Sequence, residues 1–176
     1  EAVLRLVGCR FAGNLASSDG GGIFLWRSGS TLVDCIFEYN EAFWWGGGLN
    51  ADSEQPPHLI GCAFSGNSAH HGGGIRLEWC PAVLTDCVFR DNTADAGGGI
   101  YTKNGLPVLT RCTIEANTAR VGGGVACCGS PTFDKCTIAE NEAPDGAGVY
   151  CWRDEWHGWA DPVFDQLATG RDRRSF

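Results

Sequence analysis

The sequence predicts an all-β solenoid in which one short segment recurs along the chain. The first observation is a motif, Cys-x-Phe/Ile-x-x-Asn-x-Ala followed by a glycine triplet and an aliphatic residue, which occurs six times. The second is the spacing of the copies, 24 to 27 residues, which is typical of solenoid coils. The third is a period-two alternation of apolar and polar residues, as in half-buried strands. Together they predict a single-stranded parallel β-helix of about six coils.

Each coil contributes one residue to every column of the repeat. The repeated cysteines are Cys9, Cys35, Cys62, Cys87, Cys112 and Cys136. The repeated asparagines are Asn14, Asn40, Asn67, Asn92, Asn117 and Asn141. The glycine triplets begin at Gly20, Gly46, Gly72, Gly97, Gly122 and Gly146, the last relaxed to Gly-Ala-Gly. We expect the apolar columns beside these positions to point inward and to stack like on like.

The glycines and asparagines also predict how the coils bend. Three consecutive glycines would destabilise an α-helix by roughly 1 kcal/mol each, so a helical fold is disfavoured. Glycine accepts positive φ and suits tight bends. We expect each asparagine to occupy a left-handed corner, with its amide hydrogen-bonded to the asparagine of the next coil.

The motif resembles the Phe-x-x-Asn and Gly-Gly-Ala-Ile repeats of right-handed parallel β-helix proteins. These include the passenger domains of chlamydial polymorphic outer-membrane proteins and secreted bacterial proteins of pectate-lyase-like architecture. The resemblance implies a right-handed coil and an extracellular or cell-surface location. It does not select an activity, because this fold serves lyases, hydrolases, adhesins and inert stalks.

We expect residues 1–150 to form the coils and residues 151–176 to form a cap and tail. Aromatic residues there would cover the last coil: Trp152, Trp156, Trp159 and Phe164. The stretch from Asp161 to Phe164 is similar to the Asp-Pro-x-Phe that follows the last coil of many secreted β-helix proteins. No comparable cap precedes Leu4, so we expect the N-terminal edge of the rod to meet another coil, another domain or another copy of the chain. We also expect the sequence to be part of a longer protein.

Composition narrows the classes of partner. The net charge of −8 disfavours nucleic acids and anionic membranes, which require a basic surface. No apolar run approaches the roughly 20 residues that span a bilayer. No Cys-x-x-Cys pair is present, and we predict neither a metal site nor a cofactor.

The ten cysteines fall into three groups with different predicted roles. The repeated six are expected to fill the core as small apolar side chains. Cys127 and Cys151 occupy matching positions of adjacent coils and could bridge, although parallel neighbours suit disulfide geometry poorly. Cys80 and Cys128 are expected in loops, where a free thiol would be reactive.

The candidate binding site is the loop between each asparagine and its glycines, where the repeat does not dictate residue type. Adjacent coils carry Phe43, Trp44 and Trp45, then His70 and His71. Aromatic rings beside imidazoles on an exposed edge are typical of a platform for a sugar ring or a protein partner. The alternative is a bulky loop that folds over the end of the rod or packs on a neighbouring domain.

A second aromatic set, Phe24, Tyr101 and Tyr150, is expected to face outward on one sheet, with Trp26 and Trp152 two residues further on. It could form a shallow sugar-stacking strip, or it could be ordinary strand composition.

A third candidate feature is the column of charged residues before the cysteines, which could form a catalytic site. Asp34 and Asp86 precede the cysteine two coils apart, about 9.6 Å, at the far end of the range for inverting glycosidases. Arg111 and Lys135 continue that column, which is equally explained as a solvated face of favourable charge pairs.

We therefore predict a non-catalytic extracellular or cell-surface rod that binds a polysaccharide or a surface protein. The alternatives are a polysaccharide lyase or glycoside hydrolase, and a subunit that self-assembles through its ends.

Overall fold

The computed structural model describes residues 3–152, where every regular element is a short strand and all strand pairs are parallel. The strands form four sheets, named A to D in the order in which the chain visits them. Each of the first five coils takes a strand from every sheet, the sixth lacks the strand of sheet C, and the six coils stack along the rod. The predicted six-coil β-helix is therefore confirmed.

Sheet A contains β1 (Arg5–Val7), β5 (Thr31–Val33), β9 (His58–Ile60), β13 (Val83–Thr85), β17 (Val108–Thr110) and β21 (Thr132–Asp134). Sheet B contains β2 (Arg10–Ala12), β6 (Ile36–Glu38), β10 (Ala63–Ser65), β14 (Val88–Arg90), β18 (Thr113–Glu115) and β22 (Thr137–Ala139). Sheet C contains β3 (Leu15–Ala16), β7 (Glu41–Ala42), β11 (Ser68–His71), β15 (Thr93–Ala96) and β19 (Thr118–Val121). Sheet D contains β4 (Ile23–Trp26), β8 (Leu49–Asp52), β12 (Ile75–Glu78), β16 (Ile100–Gly105), β20 (Val125–Gly129) and β23 (Val149–Trp152).

The core consists of the predicted apolar columns. Register pairs place like on like, as where Phe64 lies between Phe37 and Phe89. These three rings are fully buried and stack in parallel, with centroids 4.6 and 4.9 Å apart. The stacking follows from the strand spacing of about 4.8 Å, which matches the separation of offset aromatic rings.

The asparagine column forms the predicted amide ladder. The Nδ2 of Asn67 donates to Oδ1 of Asn92 at 2.9 Å, and Nδ2 of Asn92 donates to Oδ1 of Asn117 at 2.9 Å. The same Nδ2 of Asn92 also donates to the carbonyl oxygen of Phe64. These amides are buried, so each bond satisfies a group that water does not reach.

The left-handed conformation falls one residue earlier than predicted. The residues before the repeated cysteines and asparagines have φ between 50° and 64°, and they are Gly8, Asp34, Gly61, Asp86, Arg111, Lys135, Gly13, Tyr39, Gly66, Asp91, Ala116 and Glu140. The prediction of a left-handed asparagine was wrong. The backbone N–H of Asn67, for instance, donates to Oδ1 of Asn92 at 3.0 Å. The residue with positive φ is Gly66, which precedes it.

The glycine triplets are required by close contact between coils. A Cβ added at Gly47 would lie 2.4 Å from the carbonyl oxygen of Gly73 in the next coil and 2.5 Å from that of Ser68. Any side chain there would push the coils apart.

The cysteines differ in part from expectation. Cys80 lies between β12 and β13, as predicted, whereas Cys128 lies in β20. Both are buried, so the expectation of reactive thiols was wrong. Burial raises the pKa of the Cys80 thiol to about 12. Cys127 and Cys151, which are paired in register, form a disulfide with Cα atoms 4.7 Å apart.

The predicted cap lies, apart from Cys151 and Trp152, outside the described residues. The boundary at residue 150 stays a prediction.

Candidate functional site

The outer face of sheet C carries the candidate site. In successive coils Glu41, Ser68 and Thr93 are paired in register and form one column of this face. Two residues further along lie Phe43, His70 and Asp95, which form a second column. Between the columns lie Ala42, Ala69 and Ala94, of which Ala42 and Ala94 are buried. All nine residues line a surface pocket of about 300 Å³.

Trp44 is an extra residue relative to the next coil. The chain has Phe43, Trp44 and Trp45 where the following coil has only His70 and His71, and a bridge pairs Trp45 with His71. Two residues therefore oppose His70, which is the pattern of a β-bulge. The bulge places the indole of Trp44 against the imidazole of His70.

Phe43, Trp44 and His70 form one ring cluster. The Trp44 and His70 rings are stacked with centroids 5.1 Å apart, and Phe43 meets Trp44 edge to face at 4.7 Å. Phe43 is 57% exposed and Trp44 37% exposed. Of the three, Phe43 and His70 line the pocket and Trp44 packs against both, so the pocket has a ring-bearing wall that water reaches.

Asp95 orients the imidazole at this wall. Its Oδ2 lies 2.5 Å from Nδ1 of His70, and both side chains are about one third exposed. A contact of this length restrains the ring, and the carboxylate keeps further lone pairs that can accept hydrogen bonds. With Glu41 on the opposite column, the pocket combines apolar rings with hydrogen-bond acceptors.

Trp45 and His71 face a different part of the rod. The guanidinium of Arg76 lies 4.2 Å from the centre of a Trp45 ring, and Arg76 is only 4% exposed. Arg76 also donates to Oδ1 of Asn50 and forms an ion pair with Glu78.

His71 is buried, with its ring 4.8 Å from that of Tyr101. The structure therefore brings together three of the five predicted residues, Phe43, Trp44 and His70. The other two, Trp45 and His71, pack toward sheet D. His70 and His71 are adjacent and point in opposite directions, and the extra residue Trp44 brings Trp45 into register with His71.

Sequence reasoning missed Glu41, Ser68, Thr93 and Asp95 as lining residues. The strand period of two could have identified them, because Glu41 precedes Phe43 by two positions, as Ser68 precedes His70. Residues so spaced on one strand share a face.

The second aromatic set does not form a continuous strip. Phe24 and Trp26 are exposed, but Tyr101 is 1% exposed and packs between Ala96 and Ala126. Tyr101 lies outside the main core, on the outward side that was expected, but neighbouring side chains, among them His71 and Trp152, cover the face of sheet D there.

The column of Asp34 and Asp86 carries charge pairs. The Nε and Nη2 of Arg111 each donate to an oxygen of Asp86 at 2.7 Å. These hydrogen bonds lower the pKa of Asp86. The pair is exposed and lies at a corner, as the solvated-face interpretation predicted.

Among residues 3–152 no cluster of three or more His, Cys, Asp or Glu has the arrangement of a metal site. Over the same range no helix is long and apolar enough to cross a membrane.

These features define a parallel β-solenoid, a fold that suggests a structural or surface-type module. Residues 3–138 match the family described as a right-handed β-helix region, and the chain belongs to that family. Neither the curated proteins nor the solved structures compared with the chain give a significant match.

Proposed function

We propose that the chain is a non-catalytic extracellular or cell-surface rod that binds a glycan at the pocket of Phe43, Trp44 and His70. The observation that carries the proposal is the water-accessible ring cluster beside the carboxylates of Glu41 and Asp95. Sugar rings present apolar C–H faces to aromatic rings and hydroxyl donors to carboxylates, so both halves of the pocket have a counterpart in such a ligand.

Size and charge narrow the ligand class. A volume of about 300 Å³ is at the lower limit for small-ligand pockets, which suits one sugar ring of a longer chain. Two carboxylates in the lining, on a chain of net charge −8, favour neutral or amino sugars over uronic acids.

The disulfide between Cys127 and Cys151 supports the extracellular or surface location. Such bonds form and persist in oxidising compartments.

Co-sedimentation with neutral and acidic polysaccharides, followed by analysis of the supernatant for new chain ends, tests the proposal. We expect binding to a neutral or amino-sugar polymer without shortening. The variant Phe43→Ala should lose this binding at least tenfold, whereas Trp26→Ala, an equally exposed aromatic on sheet D, should keep it. Equal binding by both variants would contradict the proposal.

A glycoside hydrolase is the second candidate, because Glu41 and Asp95 line one pocket. Their strands are two coils apart, about 9.6 Å, and Asp95 lies two residues beyond the register partner of Glu41, so their side chains would have to lean toward each other to reach the carboxylate spacing of inverting enzymes. New chain ends that disappear in Glu41→Gln would favour this activity.

A further inference from the structure

The cysteine column is a continuous line of thiols through the rod. Cys35, Cys62, Cys87 and Cys112 are buried, and the column ends at the partly exposed Cys9 and Cys136. The flanking strands of sheets A and B are in register, so each cysteine lies directly beside that of the next coil. Strand spacing then sets their Cα separation at about 4.8 Å.

Neighbouring thiols in the column share one orientation. From Cys35 to Cys136 each Sγ donates to the carbonyl oxygen two residues before it, as Cys87 does to Thr85. From Cys62 onward each Sγ also lies within hydrogen-bond distance of a carbonyl oxygen in the preceding coil, as Cys87 does with Leu59. The sulfurs are therefore stacked one coil apart, at about the strand spacing.

The rod already contains a bridge of the same kind. Cys127 and Cys151 are register partners in adjacent coils, and they are joined with Cα atoms 4.7 Å apart. This separation lies within the usual range for disulfides, about 4.4–6.8 Å, as does the spacing of the column.

We propose that the column is an oxidisable thiol ladder, in which a small-molecule disulfide reacts first at Cys136 and the resulting bridge moves inward from coil to coil. Cys136 is chosen because it is partly exposed and is the neighbour of Cys112 in the next coil. The function is to staple neighbouring coils covalently in oxidising surroundings.

The chemistry balances at each step. The Cys136 thiolate attacks one sulfur of R′S–SR′, forming a mixed disulfide and releasing R′S⁻, which takes up the proton that Cys136 lost. Cys112 then attacks Sγ of Cys136, forming the Cys112–Cys136 bridge and releasing a second R′SH. Two protein thiols are oxidised and one small disulfide is reduced.

Transfer along the column needs no further oxidant. The Cys87 thiolate attacks Sγ of Cys112, a Cys87–Cys112 bond forms, and Cys136 leaves as a thiolate that takes up the proton from Cys87. Cys136 is then free to react again. Because burial raises the pKa of the Cys136 thiol, the rate should rise between pH 7 and pH 9.

Mass spectrometry of the intact chain treated with oxidised glutathione tests the proposal. Cysteines are alkylated under denaturing conditions, and trypsin, which cleaves after Arg90, Arg111 and Lys135, separates Cys87, Cys112 and Cys136. We expect Cys112–Cys136 to form first and Cys87–Cys112 later, with the thiol count falling below the initial eight. An unchanged count of eight, or bridges between non-adjacent coils, would overturn the ladder.

Two variants separate attack at the column end from general oxidation. In Cys136→Ala, the Cys87–Cys112 bridge should form at least tenfold more slowly, whereas Cys80→Ala, which removes a buried thiol outside the column, should leave the rate unchanged. Circular dichroism verifies that both variants fold. Equal rates in the native chain and Cys136→Ala would overturn the proposed route.

Discussion

At the scale of single residues, position in the register determines which candidate side chains line the pocket. Phe43 and His70 line it, whereas Trp45 and His71 pack toward sheet D, because the extra residue Trp44 brings Trp45 into register with His71. Neighbouring aromatic residues of one loop therefore have separate roles.

We expect Phe43→Ala and Trp45→Ala to have opposite effects. Phe43→Ala should abolish glycan binding and leave the melting temperature within about 2 °C, because its ring is largely exposed. Trp45→Ala should destabilise the fold by about 2 kcal/mol or more, because it leaves the buried Arg76 guanidinium without its aromatic contact. Thermal unfolding and co-sedimentation measure both; a stable Trp45→Ala would contradict the structural role.

The Asp86–Arg111 pair predicts a pH dependence. The pKa of Asp86 is lower in the folded chain than in the unfolded chain, so its contribution to stability is present above about pH 4. It is lost as the pH falls through the folded pKa. In urea unfolding, Asp86→Asn should therefore differ from the native chain at pH 7 and match it near pH 2.

The matched control for that measurement is Asp34→Asn, which changes the corresponding corner two coils away. An Asp86→Asn difference that persists unchanged at low pH would contradict the ion-pair explanation.

At the scale of elements, ladders that run across the coils hold the strands in register. The asparagine ladder links six coils through side-chain amides, and the phenylalanine stack runs parallel to it inside the rod. Both depend on every coil contributing the same residue at the same position.

Asn92→Ala should destabilise the rod by about 3 kcal/mol or more. It removes two bonds that the Nδ2 donates and two that Oδ1 accepts from Asn67, and buried groups lose their partners. Asn14→Ala, at the exposed end of the ladder, should have a clearly smaller effect in the same denaturant titration. Equal losses would show that burial does not determine the contribution of each amide.

The repeat explains why these elements were predictable and why the pocket was not. The column that contains Phe37, Phe64 and Phe89 has Phe or Ile in all six copies of the repeat, so its place in the core follows from the repeat period alone. The direction of Tyr101 was also predictable, but its burial depends on Ala96 and Ala126 in other strands, which parity does not describe. The role of Asp95 in the pocket could not be predicted, because it depends on the register of two coils, which places Asp95 beside His70.

At the scale of the whole molecule, the rod is a linear array in which each coil contacts mainly its neighbours, as the coil-to-coil pairing of all four sheets demonstrates. The stability of such an array is approximately a sum over coils and interfaces, so its parts open separately.

Removal of the Cys127–Cys151 disulfide should therefore act locally. In a Cys127→Ala/Cys151→Ala double variant, amide hydrogen exchange should increase in β20 and β23, because the bridge closes a loop worth about 3 kcal/mol. Exchange in β8, three coils away, should stay unchanged. A uniform increase along the rod would contradict the linear-array description.

The bulge at Trp44 shows how this architecture can acquire new surface chemistry. The coil of Trp44 has one residue more on its outer side than the next coil, yet pairing resumes at Trp45 with His71 and at Leu49 with Ile75, so the core is undisturbed. The extra residue is absorbed locally and does not change the register of the strand that follows. Coils of this rod can therefore differ in the length of one outer segment, and in the side chains that it presents, while the buried columns stay aligned.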